Sequence, residues 1–151
     1  MITIRQATFA DADVLARLNH EFNGVQWDAE RVRQSLRADT SPETVLLAEE
    51  AGAVVGFMCL QTFRSVCYDA PWVEITELYV APAHRRRGAG RALLRDGERR
   101  AERSGASELL VRTNTSNRPA LGLFRRTGLE PAPQVVFRRF YPGRGLTSGC
   151  C

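Results

Sequence analysis

The chain contains no lysine. All 21 basic residues are arginine, which excludes a lysine Schiff base, a lysine acid or base, and the Gly-Lys-Ser/Thr loop whose lysine reaches bound phosphates. Long apolar runs are missing too: none approaches the roughly 20 residues of a membrane span, and Met1 to Gln6 lacks the core of a secretory signal. A soluble, cytoplasmic protein with no membrane partner is expected. The four cysteines, Cys59, Cys67, Cys150 and Cys151, have neither metal-ligand spacing nor a scaffold pattern, so reduced thiols and no metal site are expected. Histidine is scarce, and His20 and His84 read as surface or cap residues. There is no internal repeat and no low-complexity linker.

What is present suffices for one domain. With 44% hydrophobic residues in 151, residues 1–141 can enclose a core, and the polar, glycine-containing stretch 142–151 reads as a frayed tail. The net charge is +4, but 17 acidic residues are interspersed with the arginines, and the only tight basic run sits beside glycines. Nucleic acid is therefore not the expected partner.

Hydrophobic periodicity gives the order βααβββαβαβ. Ile2, Ile4 and Gln6 to Thr8 alternate as a strand. Asp11 then caps a helix whose stripe is Val14, Leu15, Leu18 and Phe22. Trp27 and Asp28 start a shorter helix through Val32 and Leu36 to about Ala38. Thr44 to Glu49 and Val54 to Arg64 form a hairpin about Ala51 and Gly52. A loop with Asp69 leads to a fourth strand, Val73 to Val80, and then to a helix that Gly105 ends. A fifth strand, Glu108 to Arg112, must run parallel to the fourth because a helix connects them. Asn117 caps the fourth helix, with Pro119 in its first turn and Gly128 beyond its end, and Val135 to Tyr141 alternates as a last strand. This is a mixed α/β sandwich about one central sheet.

The stretch from Trp72 to Leu94 organises the rest. A strand, a tight loop and a helix opened by Gly88, Ala89 and Gly90 leave the first helical N–H groups unpaired at the positive end of the helix dipole. Arg85, Arg86, Arg87 and Arg91 surround that corner, and the glycines let a pyrophosphate reach the backbone. A dinucleotide fingerprint fails because Leu93 stands where a third small residue is needed. The pattern that fits is R-x-x-G-x-G, Arg85 to Gly90.

With Glu-Leu-Tyr-Val-Ala-Pro-Ala-His before that loop, the chain resembles the GNAT superfamily of acetyl-CoA-dependent N-acetyltransferases from its first strand to about Tyr141. The resemblance implies a mixed, mostly antiparallel sheet of about 6–7 strands, with a splayed parallel pair and four flanking helices. It implies acetyl-CoA as co-substrate. The pantetheine arm would lie between the fourth and fifth strands against the backbone of Leu78, Tyr79 and Val80. The amides from Arg86 to Arg91 would hold the pyrophosphate, and Asn117 would contact the pantetheine arm as well as capping its helix.

The resemblance also places a carboxylate base at Glu74 or Glu77. An alkyl ammonium with a pKa of about 10 must lose a proton before it attacks a thioester. Strict alternation puts these two residues on opposite faces unless a bulge intervenes. The tyrosine with which the family protonates the departing thiolate is replaced here by Phe124. A thiol with a pKa of about 8.5 leaves readily enough to tolerate that loss, with Tyr79, Tyr141, water or the substrate's own proton as substitutes. Direct transfer is preferred to an acetylated Cys59 or Cys67.

The acceptor would approach from the first two helices, near Glu21, Trp27, Asp69 and Glu77. These acids suit a small cationic amine, and the layout resembles aminoglycoside 3-N-acetyltransferases. The alternatives are a protein or peptide N-acetyltransferase and a non-catalytic acetyl-CoA sensor. Members of the family are often homodimers.

Overall fold

Each strand's alternation divides its side chains between two helical layers. The computed structural model describes residues 1–26, 28–37, 42–139 and 141. Strands β1 (Ile2–Gln6), β2 (Glu43–Glu50), β3 (Ala53–Phe63) and β4 (Trp72–Val80) lie side by side and antiparallel, and β5 (Leu109–Val111) joins β4 in parallel. The helices are α1 (Ala12–Asn23), α2 (Ala29–Arg37), α3 (Ala89–Arg103) and α4 (Arg118–Arg126). In the β2–β3 hairpin, Ala51 (φ 52°) and Gly52 (φ 80°) both adopt the left-handed backbone, which matches the twist of the flanking strands.

On one side of the sheet, Leu46, Met58, Leu60 and Ile75 pack with Leu93 and Leu94 of α3 and Phe124 of α4. On the other, Leu47, Phe57 and Tyr79 pack with Leu15 and Leu18 of α1. Helix α2 has no buried residue; only one edge of it, through Val32 and Leu36, touches this second core. The loose seat of α2 leaves space between helices and sheet.

Two sequence expectations change. Asp11 stands at the N-cap position of α1, but its carboxylate makes no cap bond there. It accepts instead from the Thr8 N–H (2.7 Å) and from both terminal nitrogens of Arg5 (2.9 and 2.7 Å), a stronger, charge-assisted set. The expected last strand, Val135 to Tyr141, is not formed among the described residues, so the sheet has five strands rather than about 6–7. Val135, Val136 and Phe137 are exposed, and strand propensity without a paired neighbour or a buried face does not make a strand. Trp27, Ala38, Phe140 and the tail 142–151 lie outside the described residues.

Candidate active site

The corner after β4 is built for an anion. Beyond Val80, a 3-10 turn (Pro82–His84) leads to Gly88, which carries φ +99° at the N-cap of α3. The first helical bond runs from the Ala92 N–H to the Gly88 carbonyl (2.9 Å), and the amides of residues 86–91 donate to no backbone carbonyl among the described residues. Arg86, with φ +65°, joins Gly88 in the left-handed region. For a residue with a side chain that conformation costs on the order of 1 kcal/mol or more. A side chain at Gly88 would meet nothing within 4 Å, whereas at Gly90 its Cβ would stand 3.1 Å from Leu123 Cδ2. Open space, unpaired donors and a helix N-terminus together fit a diphosphate.

Sequence reasoning missed Glu50, which braces this loop. Its carboxylate accepts from His84 Nδ1 (2.7 Å) and Arg87 (3.1 Å). The His84 contact, followed by Arg87, holds Glu50 below the usual carboxylate range against the opposing effect of burial. Arg85 turns inward, donating to the Val80 carbonyl (2.9 Å) with its guanidinium 5.8 Å from the centre of the Tyr79 ring. Arg86 and Arg91 are exposed at the rim.

Between β4 and β5 the sheet opens. Their pairing ends after three rungs, Val73 with Leu109, Glu74 with Leu110 and Ile75 with Val111. Strand β4 continues to Val80, paired among the described residues with β3 alone, so, apart from the Val80 carbonyl that Arg85 holds, its other edge has backbone groups available to a ligand. Just past β5 lies Thr113 Oγ1, a buried side-chain oxygen with no partner, which also fits a polar arm entering this gap. Asn117 caps α4, its side-chain oxygen accepting from the Ala120 N–H (3.3 Å). Phe124 is buried beside α3. The Tyr79 phenol donates to Glu21 (3.2 Å) while its ring stacks on Phe22 at 5.1 Å. Burial, then the neighbouring Glu21, pushes the phenol pKa up.

On the α1/α2 side is a cavity of about 470 Å³, walled by residues that include Leu15, Val32, Leu36, Val45 and Phe57 and carrying Glu43 and Glu77. The register of β3 against β4 slips where Cys59 faces Glu77 and Leu60 faces Ile75, leaving Thr76 as the extra residue of a bulge. Val73 and Ile75 pack in the α3-side core, so Glu74 faces away from it, as Glu77 does. The bulge thus brings both glutamates to the α1/α2 face, the exception to alternation that the sequence left open.

Their surroundings differ. Glu74 is buried, lies opposite Gln61 and takes an ion pair from Arg112 at 2.9 Å. Glu77 lines the cavity. Glu43, which sequence reasoning missed by opening β2 at Thr44, lies opposite Gln61 and accepts from the Thr76 hydroxyl at 2.8 Å. Of the other expected acceptor residues, neither Glu21 nor Asp69 lines the cavity. Glu21 is engaged by Tyr79 and Arg17, Asp69 lies exposed on its loop, and Trp27 is not among the described residues.

The sequence profile of the Acetyltransferase (GNAT) family matches residues 12–129. The chain belongs to this family. As a GNAT protein it is an acetyl-CoA-dependent acetyltransferase, with acetyl-CoA as co-substrate. It is 31% identical over 135 residues to the uncharacterized N-acetyltransferase YhfO of Bacillus subtilis (strain 168), covering 85% of this chain and 90% of that one. Streptothricin acetyltransferase of Streptomyces lavendulae is 38% identical over 72 residues, covering 46% of this chain and 38% of that protein. Solved structures share the GNAT fold. Ribosomal-protein-alanine N-acetyltransferase from Brucella melitensis biovar Abortus 2308 superposes with a TM-score of 0.81 at 18% identity, covering 93% of this chain and 99% of that one. The aminoglycoside acetyltransferase meta-AAC0020, from an uncultured soil metagenomic sample and in complex with sisomicin, gives 0.79 at 20%, covering 93% and 95%. Among the described residues no helix is long and apolar enough to cross a membrane, and no cluster of three or more His, Cys, Asp or Glu could hold a metal ion.

Proposed function

We propose that this GNAT protein acetylates the primary amine of a small cationic molecule by direct attack in a ternary complex. The observation that carries this reading is the cavity between α1, α2 and the sheet, which has the volume of a small-molecule site and places Glu77 on its wall. Glu77 takes the proton that the ammonium must lose, directly or through one water. Glu74, already paired with Arg112, supports the field on the same face. The amides of residues 86–91, with Arg86 and Arg91 at the rim, hold the pyrophosphate. The free edge of β4 at Leu78 to Val80, and Asn117, orient the pantetheine arm; Arg85 must release the Val80 carbonyl for that pairing to form.

An aminoglycoside is the concrete acceptor with which to begin. Solved aminoglycoside acetyltransferases share the fold, a streptothricin acetyltransferase is among the relatives, and the charges named on the cavity wall are carboxylates. The test is thiol release from acetyl-CoA over a panel of aminoglycosides, polyamines, simple amines and peptides with free N-termini. Release with small amines and none with peptides is the expected result. Thermal protection by CoA with no release from any amine would replace the enzyme reading with that of a sensor.

A further inference from the structure

The charge of the cavity and the character of its walls make different demands on the acceptor. Its two carboxylates, Glu43 on β2 and Glu77 on β4, lie at the sheet side of the space. Between them, Thr76 donates its hydroxyl to Glu43 at 2.8 Å, which fixes that carboxylate at the bulge. The remaining wall is mostly hydrocarbon, with Leu15 from α1, Val32 and Leu36 from α2, and Val45 and Phe57 from the sheet, interrupted by Asn19 and Asn23 of α1, Ser35 of α2 and Gln61 of β3. A ligand that fills this space puts its ammonium at one end and buries the rest of itself against branched aliphatic side chains and a phenyl ring.

Resting on the proposed amine acetylation, we infer that the preferred acceptor is an amphipathic amine, one primary ammonium on an apolar body, and that Glu43 selects it. The ammonium sits between Glu43 and Glu77. Glu77 removes one proton from the ammonium, the nitrogen lone pair attacks the acetyl carbonyl, and the carbon–sulfur bond breaks to release the CoA thiolate, which takes up the second proton that the acylated nitrogen sheds. Glu43 takes no part in these bond changes and holds the incoming cation. An aminoglycoside meets the charge requirement, and Asn19, Asn23, Ser35 and Gln61 could pair some of its hydroxyls, but the hydroxyls pressed against Val32, Leu36 and Val45 meet only hydrocarbon, and a buried polar group without a partner opposes binding.

The inference is tested with a matched pair of six-membered-ring amines, cyclohexylamine and glucosamine, alongside an aralkyl amine and an aminoglycoside, by thiol release with the full chain. The expected result is a kcat/KM for the apolar amines about tenfold or more above that for the hydroxylated ones, the scale on which apolar pockets discriminate. Turnover of aminoglycosides or glucosamine at equal or higher kcat/KM overturns the inference while leaving amine acetylation intact; absence of release from every amine overturns amine acetylation itself. Glu43→Gln should raise KM for cyclohexylamine about tenfold with kcat within about threefold, and Glu43→Asp should recover much of that affinity. A loss in kcat alone, or no change in KM, removes Glu43 from selection. Acetyl-CoA binding, measured by thermal shift, should be unchanged in both variants; if Glu43→Gln does not fold, the wild-type ratio of the two ring amines still decides.

Discussion

Glu74 and Glu77 lie three residues apart on β4 yet share one face of the sheet, because Thr76 between them is the extra residue of a bulge. The bulge gathers two carboxylates on the α1/α2 face while keeping Val73 and Ile75 in the opposite core. Their surroundings then differ, since the Glu74 carboxylate is held by Arg112 and Glu77 borders the cavity.

Glu77→Gln should therefore lower kcat/KM by about 10² or more, as the loss of a general base does, with acetyl-CoA binding preserved. Glu74→Gln should leave kcat within several-fold of wild type. It removes the partner of a guanidinium that is itself largely exposed, so its stability cost should be about 1 kcal/mol or less. Steady-state kinetics and urea melts of the two single variants separate these outcomes. Two fully active variants would leave the reaction without a carboxylate base on β4.

The loop after β4 makes a second demand. Gly88→Ala places a side chain at φ +99°, where there is room for it but the backbone is strained, at roughly 1–2 kcal/mol. For a domain of this size that is a fall of several degrees in Tm. The same variant should raise KM for acetyl-CoA and reduce the thermal protection given by CoA, because the neighbouring amides no longer converge. An unchanged CoA-induced shift would mean that the pyrophosphate is held elsewhere.

Acid should weaken the fold through Asp11. The hydrogen bonds from Arg5, then from Thr8, hold its carboxyl at about 2, against 3.8 for the ordinary group. A carboxyl whose pKa is lower in the folded chain stabilises it fully above the unfolded value and loses that contribution as pH falls through the folded one. The contribution at neutral pH is roughly 2 kcal/mol. Asp11→Asn should accordingly be less stable than wild type by about that amount at pH 7, with the gap shrinking between about pH 4 and pH 2. Urea midpoints measured across that range would show a constant gap if Asp11 were not linked to folding.

How much of this was legible in the sequence follows from which interactions are local. The glycine loop, the Asn117 cap with Pro119 behind it, and the Ala51–Gly52 turn are set by a few adjacent residues, and each is found where the pattern places it. The parallel pairing of β4 and β5 followed from the intervening helix. The bulge at Thr76 depends on how β3 is registered against β4, which no window of one strand contains. Glu43 and Glu50 enter their sites across the sheet from β2, and Arg112 reaches Glu74 from just beyond β5. Alternation in Val135 to Tyr141 reads as a last strand, but Val135, Val136, Phe137 and Tyr141 stand exposed, and alternation without a buried face does not make a strand.

The missing tyrosine at Phe124 makes Tyr79 a tempting substitute acid, and its geometry argues against that role. Its phenol already donates to Glu21 at 3.2 Å, its ring is stacked on Phe22, and burial raises its pKa, so at neutral pH it is a weaker proton donor than an ordinary tyrosine. The departing thiolate, with a pKa of about 8.5 for a simple thiol, needs little assistance. Tyr79→Phe should therefore keep kcat within about threefold of wild type and leave the alkaline limb of the pH–rate profile in place. It should cost about 1 kcal/mol of stability for the hydrogen bond lost to Glu21. A drop in kcat of about 10² or more, with the alkaline limb shifted, would instead assign the proton to this phenol.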